Sequence, residues 1–160
     1  MNDKENRLTE IIASAVEETF EEMVFLEVCQ VKAPGAPLDE GSLLRVSLLV
    51  HDPFPGEMCL VAPRSLVTWM ARTLFSSEDE CVPDETLLDL QAELLNSIAG
   101  KVMSQMTPEE ETFKLGLPET EVESLVGSDG QSVECHFDVR GEMFFVAASG
   151  DALIARGKLC

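Results

Sequence analysis

Basic residues are scarce in this chain. Eleven lysines and arginines stand against 30 aspartates and glutamates, a formal net charge of −19. No basic stripe is available to neutralise phosphates, which argues against nucleic-acid binding, and the same deficit argues against docking on anionic lipid. Nowhere does an apolar run approach the ~20 residues that span a bilayer, and Met1-Asn2-Asp3-Lys4-Glu5-Asn6-Arg7 is charged, unlike a signal peptide. Five cysteines (Cys29, Cys59, Cys81, Cys135, Cys160) are odd in number, and no two lie within four residues. That is neither a disulfide framework nor a zinc pattern; the thiols read as buried or incidental ones of a reducing cytosol. The two histidines, His51 and His136, are unclustered and read as surface residues.

What is present suffices for a core. Of 160 residues, 45% are hydrophobic, the size and composition of a single domain spanning residues 1–160. Residues 7–24 carry apolar side chains at helical spacing (Leu8, Ile11, Ile12, Ala15, Val16, Phe20, Met23) with glutamates between them. Phe25 to Lys32 is strand-like and ends at Ala33-Pro34-Gly35-Ala36-Pro37. Leu43 to Val50 and Glu57 to Ala62 form a hairpin across His51–Gly56. A helix over 64–75 and an acidic loop over 76–81 follow. Pro83-Asp84-Glu85 then opens the longest helical pattern, with proline and acids in the first turn where the free N–H groups favour them. It stops before Pro108. Thr112 to Leu117 is strand-like, and Glu119 to Leu125 is ambiguous. Gln131 to Val139 alternates as a half-exposed strand, with Glu134, His136 and Asp138 on its polar side. The strand Glu142–Ala148 returns through Arg140-Gly141. The tail from Asp151 fits a short helix or a strand. Met58 and Met143 read as core, and Trp69 as a packing residue.

Gly56-Glu57-Met58-Cys59-Leu60-Val61-Ala62 and Gly141-Glu142-Met143-Phe144-Phe145-Val146-Ala147 agree at five of seven positions. Each closes a hairpin, and each hairpin is preceded by a long helix and a lone strand. The expected fold is therefore α+β: a pseudo-two-fold antiparallel sheet with two long helices packed on one face.

Within the helix that starts near Pro83, take 100° per residue and Glu93 as zero. Leu87, Leu94, Leu95, Ile98, Val102 and Met106 then fall between about 100° and 220°, an apolar stripe. Asn96 falls at about 300°, Asp89 at about 320° and Gly100 at about 340°, on Glu93's side. Asparagine costs up to ~0.7 kcal/mol and glycine ~1 kcal/mol against alanine inside a helix. One reading is a solvated face that tolerates two poor helix formers. The other is a patch with a use: a carboxylate that can hold an ammonium group, an amide that can orient a water, and a glycine notch where another backbone comes close. With no histidine, nucleophile–base pair or phosphate-cradling loop beside it, the patch is half an active site, complete only against a partner. Asp84, Glu85 and Asp89 also fit as first-turn helix acids.

Glu93-x-x-Asn96-x-x-x-Gly100 on a long helix, followed by Gly116-Leu117-Pro118, resembles the CheX/CheC/FliY phosphatases of bacterial chemotaxis. The resemblance extends to Thr19-Phe20-Glu21-Glu22-Met23 and to the Gly56 turn leading into Ala62-Pro63-Arg64-Ser65-Leu66. It implies dephosphorylation of the phosphoaspartate of a CheY-like response-regulator receiver, in the cytoplasm. Glu93 would bind the receiver's active-site lysine and Asn96 would orient the attacking water. Asp89 and Gly100 would contact the partner. This chain would bind no cofactor or metal, since Mg²⁺ belongs to the receiver, and a homodimer through sheet edges is implied. Glu17 is followed three residues on by Phe20, so one site per chain is expected. A non-catalytic adaptor using the same helix face, and a purely structural dimer module, are the alternatives.

Overall fold

Leu44, Val46, Leu48 and Val50 are buried while Arg45, Ser47 and Leu49 between them are not, the period-2 signature of a strand with one face on a core. This is β2 (Leu43–Asp52) of a computed structural model that describes residues 3–32, 43–75, 81–121 and 132–159. Preceding it are α1 (Asp3–Val24) and β1 (Cys29–Val31); following it are β3 (Gly56–Pro63), α2 (Arg64–Leu74) and α3 (Asp84–Met106). The chain continues through β4 (Lys114–Leu115), β5 (Glu119–Glu121), β6 (Ser132–Val139), β7 (Glu142–Ser149) and α4 (Asp151–Leu159). The breaker run at 33–37, the acidic stretch 76–80 and residues 122–125 lie outside the described residues.

Among the described residues all pairings are antiparallel, in the order β1-β6-β7-β3-β2-β4, with β5 also on β2. The sequence repeat is a property of this sheet. A shift of 85 residues, the spacing of Gly56 and Gly141, carries Leu60 onto Phe145 and Val61 onto Val146. Those residues face each other crosswise, Leu60 opposite Val146 and Val61 opposite Phe145. A pseudo-two-fold axis therefore passes through the middle of the β3–β7 ladder. The same exchange holds outside it: β1, which follows α1, flanks the second hairpin by pairing β6, and β4 and β5, which follow α3, flank the first by pairing β2. Likewise α1 packs against β6 and α3 against β2 and β3.

Both long helices cover the same sheet face. Their stripes merge into one cluster with Leu44, Val46, Met58, Leu60, Phe137, Phe144 and Val146. Phe20 of α1 stacks on Phe144 at 4.8 Å between centroids, and Phe144 on Phe137 at 5.2 Å, contacts that add to their area burial. The tail resolves as a helix because Leu153 and Ile154 reach this core and Gly157 admits α1; a Cβ there would sit 2.9 Å from the Leu8 Cβ.

Four expectations need correction. Of Phe25–Lys32 only Cys29–Val31 pairs as strand, and of Thr112–Leu117 only Lys114–Leu115, because each flanks a sheet edge for a few residues only. His136 is buried (8% exposed) rather than superficial: on the outer sheet face its ring packs beside Phe145, centroids 5.3 Å apart. Met143 is on that same face, half-buried, and takes no part in the main core.

Candidate functional site

Helix α3 is held to the sheet by its apolar stripe and by one polar residue inside it. Leu87, Leu94, Leu95, Ile98, Val102 and Met106 are all buried. Among them Gln91 is completely buried, and its side-chain nitrogen donates to the Leu44 and Leu60 carbonyls, each at 2.8 Å. At 3.6 residues per turn Gln91 lies about 160° from Glu93. The residue that ties α3 to β2 and β3 thus turns Glu93 outward. Arg156 of α4 donates to the Met106 carbonyl at 3.0 Å, which supplies one of the acceptors left unmatched at the helix end. Arg64 of α2 pairs with Asp84 at its start.

Glu93 and Asn96 are both exposed, as is Asp89 one turn before. Glu93 and Asn96 are separated by about 4.5 Å along the axis and about 60° around it, so they point into the same solvent region. Among the described residues, neither has a hydrogen-bond or ion-pair partner. Gly100 follows, half-buried, and a Cβ built on it would meet nothing within 4 Å. No packing inside the chain requires glycine there; the notch opens outward. The structure therefore brings Asp89, Glu93, Asn96 and Gly100 onto one accessible face.

Electrostatics around the patch are one-sided. Asp84, Glu85, Asp89 and Glu93 of α3 and Glu17, Glu18, Glu21 and Glu22 of α1 are exposed. Lys101, next to Gly100, is already engaged: its Nζ donates to Glu22 at 2.9 Å and lies 3.7 Å from Glu18. The hydrogen bond from Lys101 to Glu22, with the charge of Glu18 beside it, pushes the lysine pKa up. The patch by itself repels a phosphate. It suits a partner that brings its own cations, to which Glu93 can offer a carboxylate and Asn96 an amide.

Gln91 and the Lys101 clamp are absent from the sequence reading. Gln91 had a signal, a polar residue inside the apolar stripe. Lys101 had none, because its partners lie 79 and 83 residues earlier in the chain.

Comparison with known proteins agrees with this architecture. Residues 47–137 match the family model described as chemotaxis phosphatase CheX, and the matched segment contains Glu93, Asn96 and Gly100. No curated protein sequence matches. Among solved structures, chemotaxis protein CheX from Vibrio vulnificus aligns with TM-score 0.72 at 14% identity, covering 93% of this chain and 99% of that one. FliY from Thermotoga maritima aligns with TM-score 0.66 at 17% identity, covering 98% and 94%. A CheX–CheY–BeF3–Mg complex from Borrelia burgdorferi aligns with TM-score 0.66 at 18% identity, covering 88% and 95%. At these identities the likeness is one of fold, but the family model spans more than half of the sequence: the chain belongs to the chemotaxis phosphatase family CheX.

Proposed function

We propose that this protein hydrolyses the phosphoaspartate of a CheY-like receiver domain, with α3 entering the receiver's active site. Glu93 pairs with the receiver's lysine and fixes the orientation of the two proteins. Asn96 accepts from and donates to a water, holding it in line with the phosphorus. The water oxygen bonds to phosphorus as the bond to the aspartate oxygen breaks, giving inorganic phosphate and a free aspartate. Mg²⁺ is the receiver's and offsets charge on the phosphoryl oxygens. Positioning and electrostatics carry most of phosphoryl-transfer catalysis, so two side chains on a rigid helix suffice. Asp89 and Gly100 contact the receiver, glycine by leaving room for its backbone. The reading includes a cytoplasmic location and a homodimer formed through sheet edges.

The observation that carries it is the pair Glu93 and Asn96, exposed and unpartnered among the described residues beside an open Gly100, in a chain of this family. Support for the partner comes from the fold-similar CheX solved with CheY, BeF3 and Mg. The test is phosphate release from a phosphorylated CheY-type receiver. Parent protein accelerates release; Asn96→Ala loses rate with binding retained; Glu93→Gln loses binding as well. Equal rates for parent and both variants would remove the assigned roles. Binding with an unchanged phosphate lifetime would make the protein an adaptor.

A further inference from the structure

Helix α1 ends in an unusual way. Phe25 follows its last residue with φ of 58°, in the left-handed region, and Leu26 N–H donates back to the Phe20 carbonyl at 3.2 Å. A left-handed residue just past a helix end is normally glycine, since a bulky side chain there is strained. Phe25 gains nothing from packing in return: it is 81% exposed, although Val24 and Val28 on either side are buried. Among the described residues the other non-glycine with positive φ is Arg140, and it has an internal reason. Its guanidinium lies 3.8 Å over the Trp69 ring, and Gly141 completes its turn. Leu49, Phe75 and Leu117 are exposed as well, but none of them has positive φ. Among the described residues, Phe25 alone combines backbone strain with an aromatic ring given to solvent.

Its position supplies the reason. Phe25 is three residues beyond Glu22, which touches Lys101, the neighbour of Gly100. Lys101 is about 7.5 Å of helix beyond Asn96 and Phe25 about 4.5 Å beyond Glu22; with packed helices about 8–10 Å apart, Phe25 lies roughly 10–15 Å from Asn96. A standard protein interface covers about 800 Å² per partner, a disc about 30 Å across, so a partner centred on Asn96 reaches Phe25. The surroundings of the ring are acidic, with Glu21, Glu22 and Glu27 all exposed. We infer that Phe25 is an apolar anchor for the receiver domain whose phosphoaspartate meets Glu93 and Asn96, inserted into a receiver pocket rimmed by lysine or arginine. The inference rests on the proposed function and adds a second docking point on the other long helix. The left-handed backbone lifts the ring clear of the helix end, and that strain is the kind found where a site is being shaped.

The experiment pairs stability with affinity. Phe25→Gly relaxes the left-handed residue, so its melting temperature should equal or exceed the parent's. Binding is titrated with a CheY-type receiver loaded with beryllofluoride and Mg²⁺. The dissociation constant should rise about ten-fold or more for Phe25→Gly, as for a truncated aromatic hot spot. Phe25→Tyr should restore it, and kcat at saturating phosphorylated receiver should stay at the parent value. Equal affinity for parent and Phe25→Gly overturns the anchor and leaves the phosphatase reading intact. So does a change in self-association with receiver affinity unaltered, which would assign the ring to a second copy of the chain. Weakened binding by Phe25→Gly without phosphate release from the parent leaves the anchor standing and removes the phosphatase. A parent that neither binds nor dephosphorylates the receiver overturns both.

Discussion

Helices α1 and α3 occupy equivalent places about the pseudo-two-fold axis, yet their outward faces are built to different ends. On α1 the exposed positions are mainly glutamates, among them Glu17, Glu18, Glu21 and Glu22, good helix formers of which two hold Lys101. Three residues after Glu17 comes Phe20, 1% exposed and stacked on Phe144. On α3, three residues after Glu93 comes Asn96, exposed and unpartnered among the described residues, and then Gly100, open on its outer side. Together these two choices give up roughly 1.5 kcal/mol of helix propensity. One copy of the unit optimises its helix; the other departs from that optimum where a ligand group would need it. Natural proteins tend to give up stability in this manner where function requires it.

The largest expected effect separates the two properties at one residue. Asn96→Ala should reduce kcat for phosphate release by roughly 10²–10³-fold, the loss seen when one preorganised polar group is removed from a transition state. The same change should raise unfolding stability by about 0.5 kcal/mol, because alanine is the better helix former. Opposite signs in a kinetic assay and a denaturant titration would fix the contrast between the helices. A variant as active as the parent would reduce Asn96 to a poor surface residue.

The buried polar residues of the two helices invert the comparison. Gln91 of α3 donates two hydrogen bonds to strand carbonyls, and only its side-chain oxygen lacks a partner among the described residues, whereas Thr19 of α1 is fully buried and its one polar side-chain group, the hydroxyl, has no partner among them. Gln91→Leu should therefore cost about 1–2 kcal/mol. Thr19→Val should be neutral or stabilising by up to about 1 kcal/mol, since it removes an unsatisfied buried group. Gln91→Leu should also lower activity beyond its effect on folding, because the tie that turns Glu93 outward is gone. Equal destabilisation by both changes would contradict the account of α3's anchoring.

Much of this was legible in the residues. The long helices, the two hairpins and the repeat declare themselves through period and turn chemistry, and those signals are local. The exposed face of Glu93, Asn96 and Gly100 followed from 100° per residue alone. What failed was non-local. Alternation placed His136 on a polar side, but whether that side meets water depends on Phe145 in a neighbouring strand. The stretch from Phe25 to Lys32 has strand-forming composition, yet the helix closure from Leu26 to Phe20 uses its first residues, and only three pair with β6. Gln91 was hidden by its company: a stripe defined by apolar residues does not reveal what a polar member bonds to across the sheet.

Gly100→Ala sharpens the comparison at a smaller scale. No atom within 4 Å obstructs the added methyl group, and alanine is favoured by about 1 kcal/mol in a helix interior, so stability should rise by that amount. For a chain of this size the melting temperature should then increase by about 2–4 °C. If Gly100 leaves room for the receiver backbone, the same variant binds the beryllofluoride-loaded receiver more weakly. Higher stability with undiminished affinity would show that the notch is unused.

The smallest effect belongs to the contact that joins the two helices. Lys101 reaches from α3 to Glu18 and Glu22 of α1, whose side chains are mostly in solvent, so Lys101→Met should cost only roughly 0.5 kcal/mol. The hydrogen bond to Glu22 raises the lysine pKa in the folded state. A raised folded value means that the contribution is complete below the unfolded pKa of about 10.4 and is lost as pH climbs past the folded value. Parent and variant should therefore differ by a constant amount from pH 6 to pH 9 in denaturant titrations. Above about pH 10.4 the two curves should converge. A difference that instead grows with pH across that window would mean that Lys101 is not held by its carboxylates, and that α1 and α3 are joined by packing alone.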